Sequence, residues 1–181
     1  MSRITIPSLD NAPEASKATL DAVHRQLGSV PNLFRLIGIS PAALTAYTSF
    51  NGALTKALDA KTRERIALAV AQVNGCDYCL SAHTYLGLNL AKLGPEEITM
   101  NRKGTSADPK ARAAVRFAVK VAQERGHIDD ADLADVRAAG FSDAQIVEIV
   151  ALVAENSFTN YLNEVAKTAI DFPEVQASEA A

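Results

Sequence analysis

The chain has 181 residues, of which 48% are hydrophobic, and its 18 basic and 21 acidic side chains give a formal net charge of −3. This length suffices for one sizeable core, so a single compact domain is expected. Because no block of basic residues is present, nucleic acid and anionic membranes are disfavoured as partners. The start, MSRITIPSLDN, lacks the features of a secretory leader, and no apolar run reaches the roughly 20 residues of a membrane span. A soluble, cytoplasmic protein is therefore predicted.

Helical patterns follow one another along almost the whole sequence, and no stretch shows the alternation of a strand. Prolines at helix starts and glycines at helix ends mark most of the boundaries. The predicted helices are 13–27, 31–38, 41–57, 60–73, 76–92, 109–124, 130–139 and 142–167. Residues 100–109 are predicted to form an exposed loop, and 172–181 a frayed tail. An all-α fold of one domain, spanning 1–181, is therefore predicted.

The helix predicted at 60–73 is the most apolar of the set. After Arg65, the six residues IALAVA carry no polar side chain. A helix that is apolar on all sides belongs in the centre of a fold. Asn74 and Gly75 then signal a chain reversal, so the segments 60–73 and 76–92 are predicted to form a central helical hairpin.

Both cysteines of the chain lie just after this reversal, in the stretch NGCDYCLSAH. On a helix, Cys76, Cys79 and His83 stand at i, i+3 and i+7 and share one face. Glu64 lies roughly 16 Å before the bend and His83 roughly 12 Å after it, so their side chains can meet across an antiparallel hairpin. The pattern therefore predicts a dithiol, an imidazole and a carboxylate at one place.

A cysteine reacts as its thiolate, and several features of this stretch lower a thiol pKa. Cys79 lies in the first turn of a helix, within a C-x-x-C pair and one turn before His83, which makes it the predicted nucleophile. Cys76 can then resolve a sulfenic acid or a mixed disulfide. Glu64 is predicted to hold one tautomer of His83 or to relay its proton.

Simpler explanations remain open for the same residues. Cys76 and Cys79 can be small buried hydrophobes, His83 a hydrogen-bonded core histidine, and Glu64 a solvated carboxylate near a helix end. Zinc normally requires four protein ligands, and only three are evident here. A covalent haem motif fails because Leu80, not histidine, follows the second cysteine. We therefore expect neither a metal nor a bound cofactor.

The pattern E-x(11)-C-D-Y-C-x(3)-H, written across Glu64, Cys76, Cys79 and His83, resembles the core motif of the alkylhydroperoxidase D and carboxymuconolactone decarboxylase superfamily. The stretch SVPNLFRLIGISPAAL, residues 29–44, is similar to the segment that precedes this core in the peroxidase-related branch. The resemblance covers about 29–165. It implies an all-helical, alkylhydroperoxidase D-like fold whose central hairpin carries the C-x-x-C site.

The resemblance also implies an activity, which is thiol-dependent reduction of hydroperoxides. It implies that Cys79 is the peroxidatic cysteine, that Cys76 is the resolving cysteine, and that Glu64 and His83 form the proton relay. The expected partners are a hydroperoxide substrate and a dithiol or lipoyl-type reductant. Tyr78 stands where the best-known members carry a second histidine, and it is an auxiliary candidate that is a poor base near neutral pH.

Two other functions remain open from the sequence. A redox-sensing or partner-binding module would change its assembly with the state of the disulfide, without turnover. A carboxymuconolactone-type decarboxylase uses no redox dithiol, so the presence of both cysteines argues against that chemistry.

A homo-oligomer is expected on two grounds. The superfamily resemblance implies a trimer, or a hexamer built of dimers. The apolar helix at 60–73 also requires more cover than one chain of short helices is expected to supply. A neighbouring chain is therefore predicted to cover part of the hairpin.

Overall fold

The computed structural model describes residues 2–177, and this part of the chain contains nine α-helices and no strand. The helices are α1 Glu14–Leu27, α2 Asn32–Ile37, α3 Pro41–Leu54, α4 Ala60–Val73, α5 Asp77–Asn89, α6 Pro95–Arg102, α7 Pro109–Gln123, α8 Asp130–Ala138 and α9 Asp143–Ala166. The all-α prediction is confirmed. Of these nine helices, none combines the length and the apolar character that crossing a membrane requires.

Local capping explains why most boundaries could be predicted. Ser40, Asp59, Asp108 and Ser142 occupy N-cap positions, and each side chain accepts the backbone N–H three residues later. At the other end of α1, Gly28 adopts a left-handed conformation with φ 78°, which ends the helix. The predicted boundaries therefore fall within a few residues of the observed ones.

Helix α6 is a difference from the prediction, because it begins at Pro95 and extends into the stretch expected to be a loop from residue 100. Gly94 lies at its N-cap, proline opens the first turn, and two glutamates follow there. Proline at the first helical position and acidic residues in the first turn both favour a helix start. The loop prediction is wrong for residues 100–102, and the connection to α7 is correspondingly shorter.

Glu97 fixes α6 to α4 and to the connection that follows it. Its carboxylate accepts hydrogen bonds from Arg65 Nε at 2.8 Å, Asn101 Nδ2 at 3.0 Å, Ser106 Oγ at 2.5 Å and the Ala107 N–H at 3.0 Å. Burial raises the pKa of the Glu97 carboxyl, but these hydrogen bonds outweigh burial and hold the pKa at about 2. The ionised carboxylate is therefore a structural group of the fold.

Helix α4 lies at the centre of the protein, as predicted. Residues 66–71 are each 3% exposed or less, and α4 packs against α5, α6, α7 and α9 of the same chain. One chain therefore covers this apolar helix by itself. The expectation that a neighbouring chain is required to cover it is wrong, because α5, α6, α7 and α9 together bury residues 66–71 within one chain.

Exposed apolar surface lies instead along the outer face of α9. The inner face of this helix contributes Ile149, Leu152 and Val153 to the core. The outer face carries large hydrophobic side chains that are 43–68% exposed, namely Val147, Val150, Phe158, Tyr161 and Val165. Their spacing of three, four, seven or eight positions places them in one row along the helix, roughly 27 Å long.

The C-terminal strap, residues 171–177, packs against the first turns of α5. The ring of Phe172 meets the ring of Tyr78 edge-on, with centroids 5.9 Å apart. Two hydrogen bonds add to this contact, from the Val175 N–H to Ser81 Oγ at 2.9 Å and from the Ala177 N–H to Asp77 Oδ1 at 2.8 Å. Residues 172–177 thus differ from the predicted frayed tail, and residues 178–181 lie outside the described residues.

Candidate active site

The two cysteines lie where the chain passes from α4 into α5. Gly75 has a φ of 67°, a conformation that glycine adopts without strain, and it makes the reversal. Cys76 then occupies the N-cap of α5, where its Sγ accepts the backbone N–H of Cys79 at 3.4 Å. Both residues are free thiols and are buried, at 0% and 2% exposure. The first turn of α5 therefore holds the pair inside the protein.

Glu64 and His83 meet across the hairpin. His83 Nδ1 lies 2.9 Å from Glu64 Oε2, and each side chain is 21% exposed, so Glu64 is less buried than its apolar helix suggested. Burial lowers the pKa of His83, but the charge and hydrogen bond of Glu64 outweigh it and raise the pKa to about 9. At neutral pH the imidazole is therefore protonated and donates to the carboxylate.

The two thiols differ in their ease of ionisation. The hydrogen bond from the Cys76 thiol lowers the pKa of Cys79, burial opposes this, and the charge of His83 and the amides of Asn163 and Asn160 lower it further. The same interaction with Cys79, together with burial, raises the pKa of Cys76. This asymmetry favours Cys79 as the sulfur that carries negative charge.

A buried polar face of α9 lies against Cys79, and the sequence interpretation missed it. Asn163 Nδ2 donates to Cys79 Sγ at 3.3 Å, and Thr159 Oγ1 lies 4.0 Å from the same sulfur. Asn160, on this face, accepts a hydrogen bond from Asn74 Nδ2 at 2.9 Å. The available signal was a run of Asn and Thr at helical spacing within an otherwise apolar helix.

Helix α9 places a second carboxylate, that of Glu155, near the site, one helical turn before Thr159. Glu155 is 7% exposed, and Asn51 Nδ2 donates to its Oε1 at 2.6 Å. Burial raises the pKa of Glu155, although this hydrogen bond and the positive charge of His83 oppose the rise. Neither Glu155 nor Asn51 was singled out from the sequence, where each resembles an ordinary surface residue.

The hydroxyl of Tyr78 makes its hydrogen bonds away from the two cysteines. Its hydroxyl donates to Asp171 Oδ1 at 2.8 Å and accepts the backbone N–H of Leu33 at 3.1 Å. Burial raises the pKa of Tyr78, so its hydroxyl stays neutral. The hydrogen bonds of this hydroxyl therefore link α5 to α2 and to the C-terminal strap, and none of them reaches the thiols.

The site offers little to a metal ion. Within residues 2–177, there is no group of three or more His, Cys, Asp or Glu side chains arranged to hold a metal ion. His83 Nδ1 is already engaged by Glu64, and the two side chains of α9 that lie against Cys79 Sγ, Asn163 and Thr159, are neutral. This donor set suits thiol chemistry better than a closed zinc site.

Comparison with sequence families agrees with the fold. Residues 41–120 match the carboxymuconolactone decarboxylase family. An uncharacterized protein of Haemophilus influenzae is 51% identical over 45 residues, which make up 24% of this chain. The match covers 40% of that relative's length.

Solved structures show the same architecture over almost the whole chain. An uncharacterized peroxidase-related protein from Ralstonia eutropha JMP134, described as an alkylhydroperoxidase AhpD core, is 25% identical with a TM-score of 0.83, covering 94% of this chain and 92% of that one. A peroxidase-related protein from Silicibacter sp. TM1040 is also 25% identical, with a TM-score of 0.80 and coverage of 93% and 91%.

A third solved structure is the debrominase Bmp8 in a cysteine-to-alanine variant bound to 2,3,4-tribromopyrrole. It is 20% identical with a TM-score of 0.79 and covers 94% of each chain, a likeness that shows the fold alone. Taken with the hairpin geometry, these matches define an all-helical protein of the alkylhydroperoxidase D type. Residues 41–120 are thus similar to the carboxymuconolactone decarboxylase family, and almost the whole chain is similar to peroxidase-related proteins of the alkylhydroperoxidase D type.

Proposed function

We propose that this protein is a thiol-dependent oxidoreductase that reduces hydroperoxides through a dithiol–disulfide cycle of Cys76 and Cys79. The observation that carries the proposal is the environment of Cys79 Sγ. A second thiol lies beside it, the amide of Asn163 donates to it at 3.3 Å, and its pKa is lowered by the nearby imidazolium of His83. These are the features of an activated thiol with a resolving partner.

In the first step, the Cys79 thiolate attacks the terminal oxygen of R–O–OH. The O–O bond breaks, a sulfur–oxygen bond forms, and the alkoxide takes a proton from His83 to leave as R–OH. The peroxide gains two electrons, and Cys79 becomes a sulfenic acid. Glu64 keeps the imidazole protonated and oriented, so His83 acts as the general acid.

In the second step, the sulfur of Cys76 attacks the sulfenic sulfur of Cys79. A disulfide forms, and the hydroxide leaves as water with the proton of the Cys76 thiol. Oxidation of Cys79 removes the negative charge that contributes to the raised pKa of Cys76, which makes this proton easier to lose. A dithiol or lipoyl-type reductant then restores both thiols through a mixed disulfide and is itself oxidised.

The alternative is a redox sensor that is oxidised once and then changes its contacts. Burial of Cys76 and Cys79, at 0% and 2% exposure, favours this alternative, because buried sulfurs are harder for a bulky reductant to reach. The chemistry of oxidation would be the same, but no reductant would complete the cycle.

Turnover separates the two functions. Purified protein is mixed with one equivalent and with an excess of hydroperoxide, with and without dihydrolipoamide, and residual peroxide and free thiol are measured. The peroxidase predicts continuing consumption that depends on dihydrolipoamide. A single stoichiometric loss of thiol, unaffected by the reductant, would identify the sensor, and thiol content unchanged by peroxide would contradict both.

We also propose that the protein forms a homo-oligomer, a trimer or a hexamer, through the outer face of α9. The row from Val147 to Val165 is apolar and exposed, and contiguous apolar patches above a few hundred Å² are unusual on monomers. A second copy would bring an identical row, whose regular helical spacing suits helix-to-helix packing.

A further inference from the structure

Two buried polar atoms lie on the α9 face beside Cys79 without a hydrogen-bond partner. They are the amide nitrogen Nδ2 of Asn160 and the amide oxygen Oδ1 of Asn163. The residues are 0% and 2% exposed, respectively. Buried polar groups are nearly always paired, since leaving one unpaired destabilises the fold. Two such atoms together, next to a reactive sulfur, indicate a place for a polar ligand.

Each of the two amide groups makes one hydrogen bond, and that bond determines which way its other polar atom points. Asn160 Oδ1 accepts a hydrogen bond from Asn74 Nδ2 at 2.9 Å, so its Nδ2 faces Cys79, whose pKa it lowers, but Nδ2 forms no hydrogen bond of its own. Asn163 Nδ2 donates to Cys79 Sγ at 3.3 Å, which leaves Oδ1 free to accept. The two residues stand at i and i+3 and share one face of α9. One free donor and one free acceptor therefore lie beside the sulfur.

This pair complements a hydroperoxide group. R–O–OH carries one O–H donor on its terminal oxygen, and the oxygen bonded to R is an acceptor that becomes negative as the O–O bond breaks. An amide oxygen can accept the O–H of the terminal oxygen, and an amide N–H can donate to the oxygen bonded to R. Thr159 adds no donor, because its hydroxyl already donates to the backbone oxygen of Asn156 at 2.9 Å.

We propose that Asn160 and Asn163 bind the hydroperoxide group over Cys79, the Asn163 oxygen accepting its O–H and the Asn160 N–H donating to the departing oxygen. This inference rests on the proposed peroxidase function and adds the group that positions the substrate. The Asn160 donor stabilises charge that exists only as the O–O bond breaks, so it contributes to the rate of the chemical step. His83 then supplies the proton to the same oxygen.

The test compares Asn160→Leu with the matched control Asn156→Leu. Asn156 lies on the same helix and is 6% exposed, but its amide donates to the Leu152 backbone oxygen at 2.8 Å. Two rate constants of Cys79 are measured at the pH plateau where it is fully ionised, one for cumene hydroperoxide and one for alkylation by iodoacetamide. Alkylation reports the thiolate alone, because it requires no donor to a leaving oxygen.

For Asn160→Leu we expect the hydroperoxide rate constant to fall on the order of 100-fold, as for loss of one oxyanion donor, with alkylation unchanged. The control is expected to change neither rate. A parallel fall of both rates would show that Asn160 acts only on the thiolate, and an unchanged hydroperoxide rate would also overturn the proposal. Asn160→Ala, which adds no bulk, carries the same test if the leucine variant does not fold.

Failure of the proposed function would be visible in the unmodified protein. A Cys79 thiolate that reacts with hydroperoxide no faster than free cysteine thiolate would overturn the peroxidase and the amide site together. Fast oxidation of the unmodified protein with no effect of Asn160→Leu would overturn the amide site alone.

Discussion

Asn163 Nδ2 donates to Cys79 Sγ at 3.3 Å, although the two residues are 84 positions apart in the chain. The sulfur thus lies between the first turn of α5 and the last turns of α9. The hairpin that carries both cysteines is assembled locally, but Asn163 and Thr159, which lie against Cys79 Sγ, come from α9. Changes in α9 are therefore expected to affect thiol chemistry as strongly as changes within the C-x-x-C motif.

Replacing the two cysteines one at a time separates their roles. Cys79→Ser is expected to abolish peroxide consumption, because the attacking sulfur is lost. Cys76→Ser is expected to permit one reaction, after which Cys79 stalls as the sulfenic acid or is oxidised further. Peroxide consumption and mass spectrometry of the product follow both outcomes, and equal residual turnover in the two variants would contradict the assignment.

The rate of peroxide reduction is expected to show a bell-shaped dependence on pH. It rises as Cys79 ionises, at a pH below the ordinary thiol pKa of 9.0, and falls as His83 loses its proton near 9. Alkylation by iodoacetamide requires no general acid, so it should show the rise without the fall. A peroxide profile that stays flat above pH 9 would remove His83 from the role of acid.

Glu64→Gln is expected to move the alkaline limb of that bell to lower pH. The carboxylate is what raises the pKa of His83, whereas burial lowers it, so the imidazole of the variant should lose its proton more readily. The amide keeps the shape of the side chain, and the melting temperature should change little. A large fall in melting temperature with an unmoved limb would make Glu64 a structural group.

Tyr78→Phe is expected to weaken the fold and leave the thiol chemistry unchanged. The variant leaves the Leu33 N–H without its acceptor and Asp171 Oδ1 without its Tyr78 donor, which should cost about 1–3 kcal/mol. Chemical denaturation measures the loss, and single-turnover oxidation of Cys79 provides the comparison. A slowed oxidation at unchanged stability would return Tyr78 to the catalytic set.

The hairpin could be predicted because its determinants are local. Six apolar residues in succession, a sharp reversal at Asn74–Gly75 and fixed helical rise are enough to bring Glu64 to His83. The polar face of α9 could not be predicted in this way. Which segment a helix face meets 84 residues away depends on packing of the whole molecule. The run of Asn and Thr along α9 marks a polar face, but it gives no indication that this face meets Cys79.

The C-terminal strap escaped prediction for a related reason. Its sequence, with proline and few large apolar residues, is typical of a mobile end. What holds it are single hydrogen bonds to polar side chains of α5, such as that from the Val175 N–H to Ser81 Oγ. Such contacts leave no periodic pattern in either segment.

Glu97 is expected to make the fold sensitive to acid. Its folded-state pKa of about 2 lies below the ordinary value of 4.5, so its contribution is present above pH 4.5 and is lost as the pH falls towards 2. That contribution is on the order of 3 kcal/mol. Urea unfolding should show that Glu97→Gln has a lower free energy of unfolding than the unmodified protein at pH 7. This difference in free energy should shrink near pH 2.

The exposed neighbour Glu96 provides the matched control, and Glu96→Gln should change stability at pH 7 by no more than about 1 kcal/mol, the contribution of an exposed carboxylate in the first turn of a helix. An equal effect of the two substitutions would mean that general charge, and not the hydrogen bonds of Glu97, governs the acid response.

The outer face of α9 can be tested by placing charge on it. Val150→Glu combined with Tyr161→Glu is expected to reduce the assembly to single chains of 19.2 kDa, because the carboxylates would be desolvated in the contact. Light scattering measures the mass. Leu27→Glu, which alters an exposed apolar residue of α1, should leave the assembly intact, and an unmodified protein that is already monomeric would contradict the proposal.

Cys76 is the N-cap of α5 and, in the proposed cycle, also one of the two reacting sulfurs. Its Sγ accepts the Cys79 N–H in the dithiol form, whereas in a disulfide the same sulfur would be bonded to Cys79 and would be a weaker acceptor. The start of the helix would then be better capped when the pair is reduced. An interaction that stabilises the reduced form raises the reduction potential of the pair, so the capping sulfur would make the disulfide a stronger oxidant. The same atom would then influence both the stability of the helix and the reduction potential.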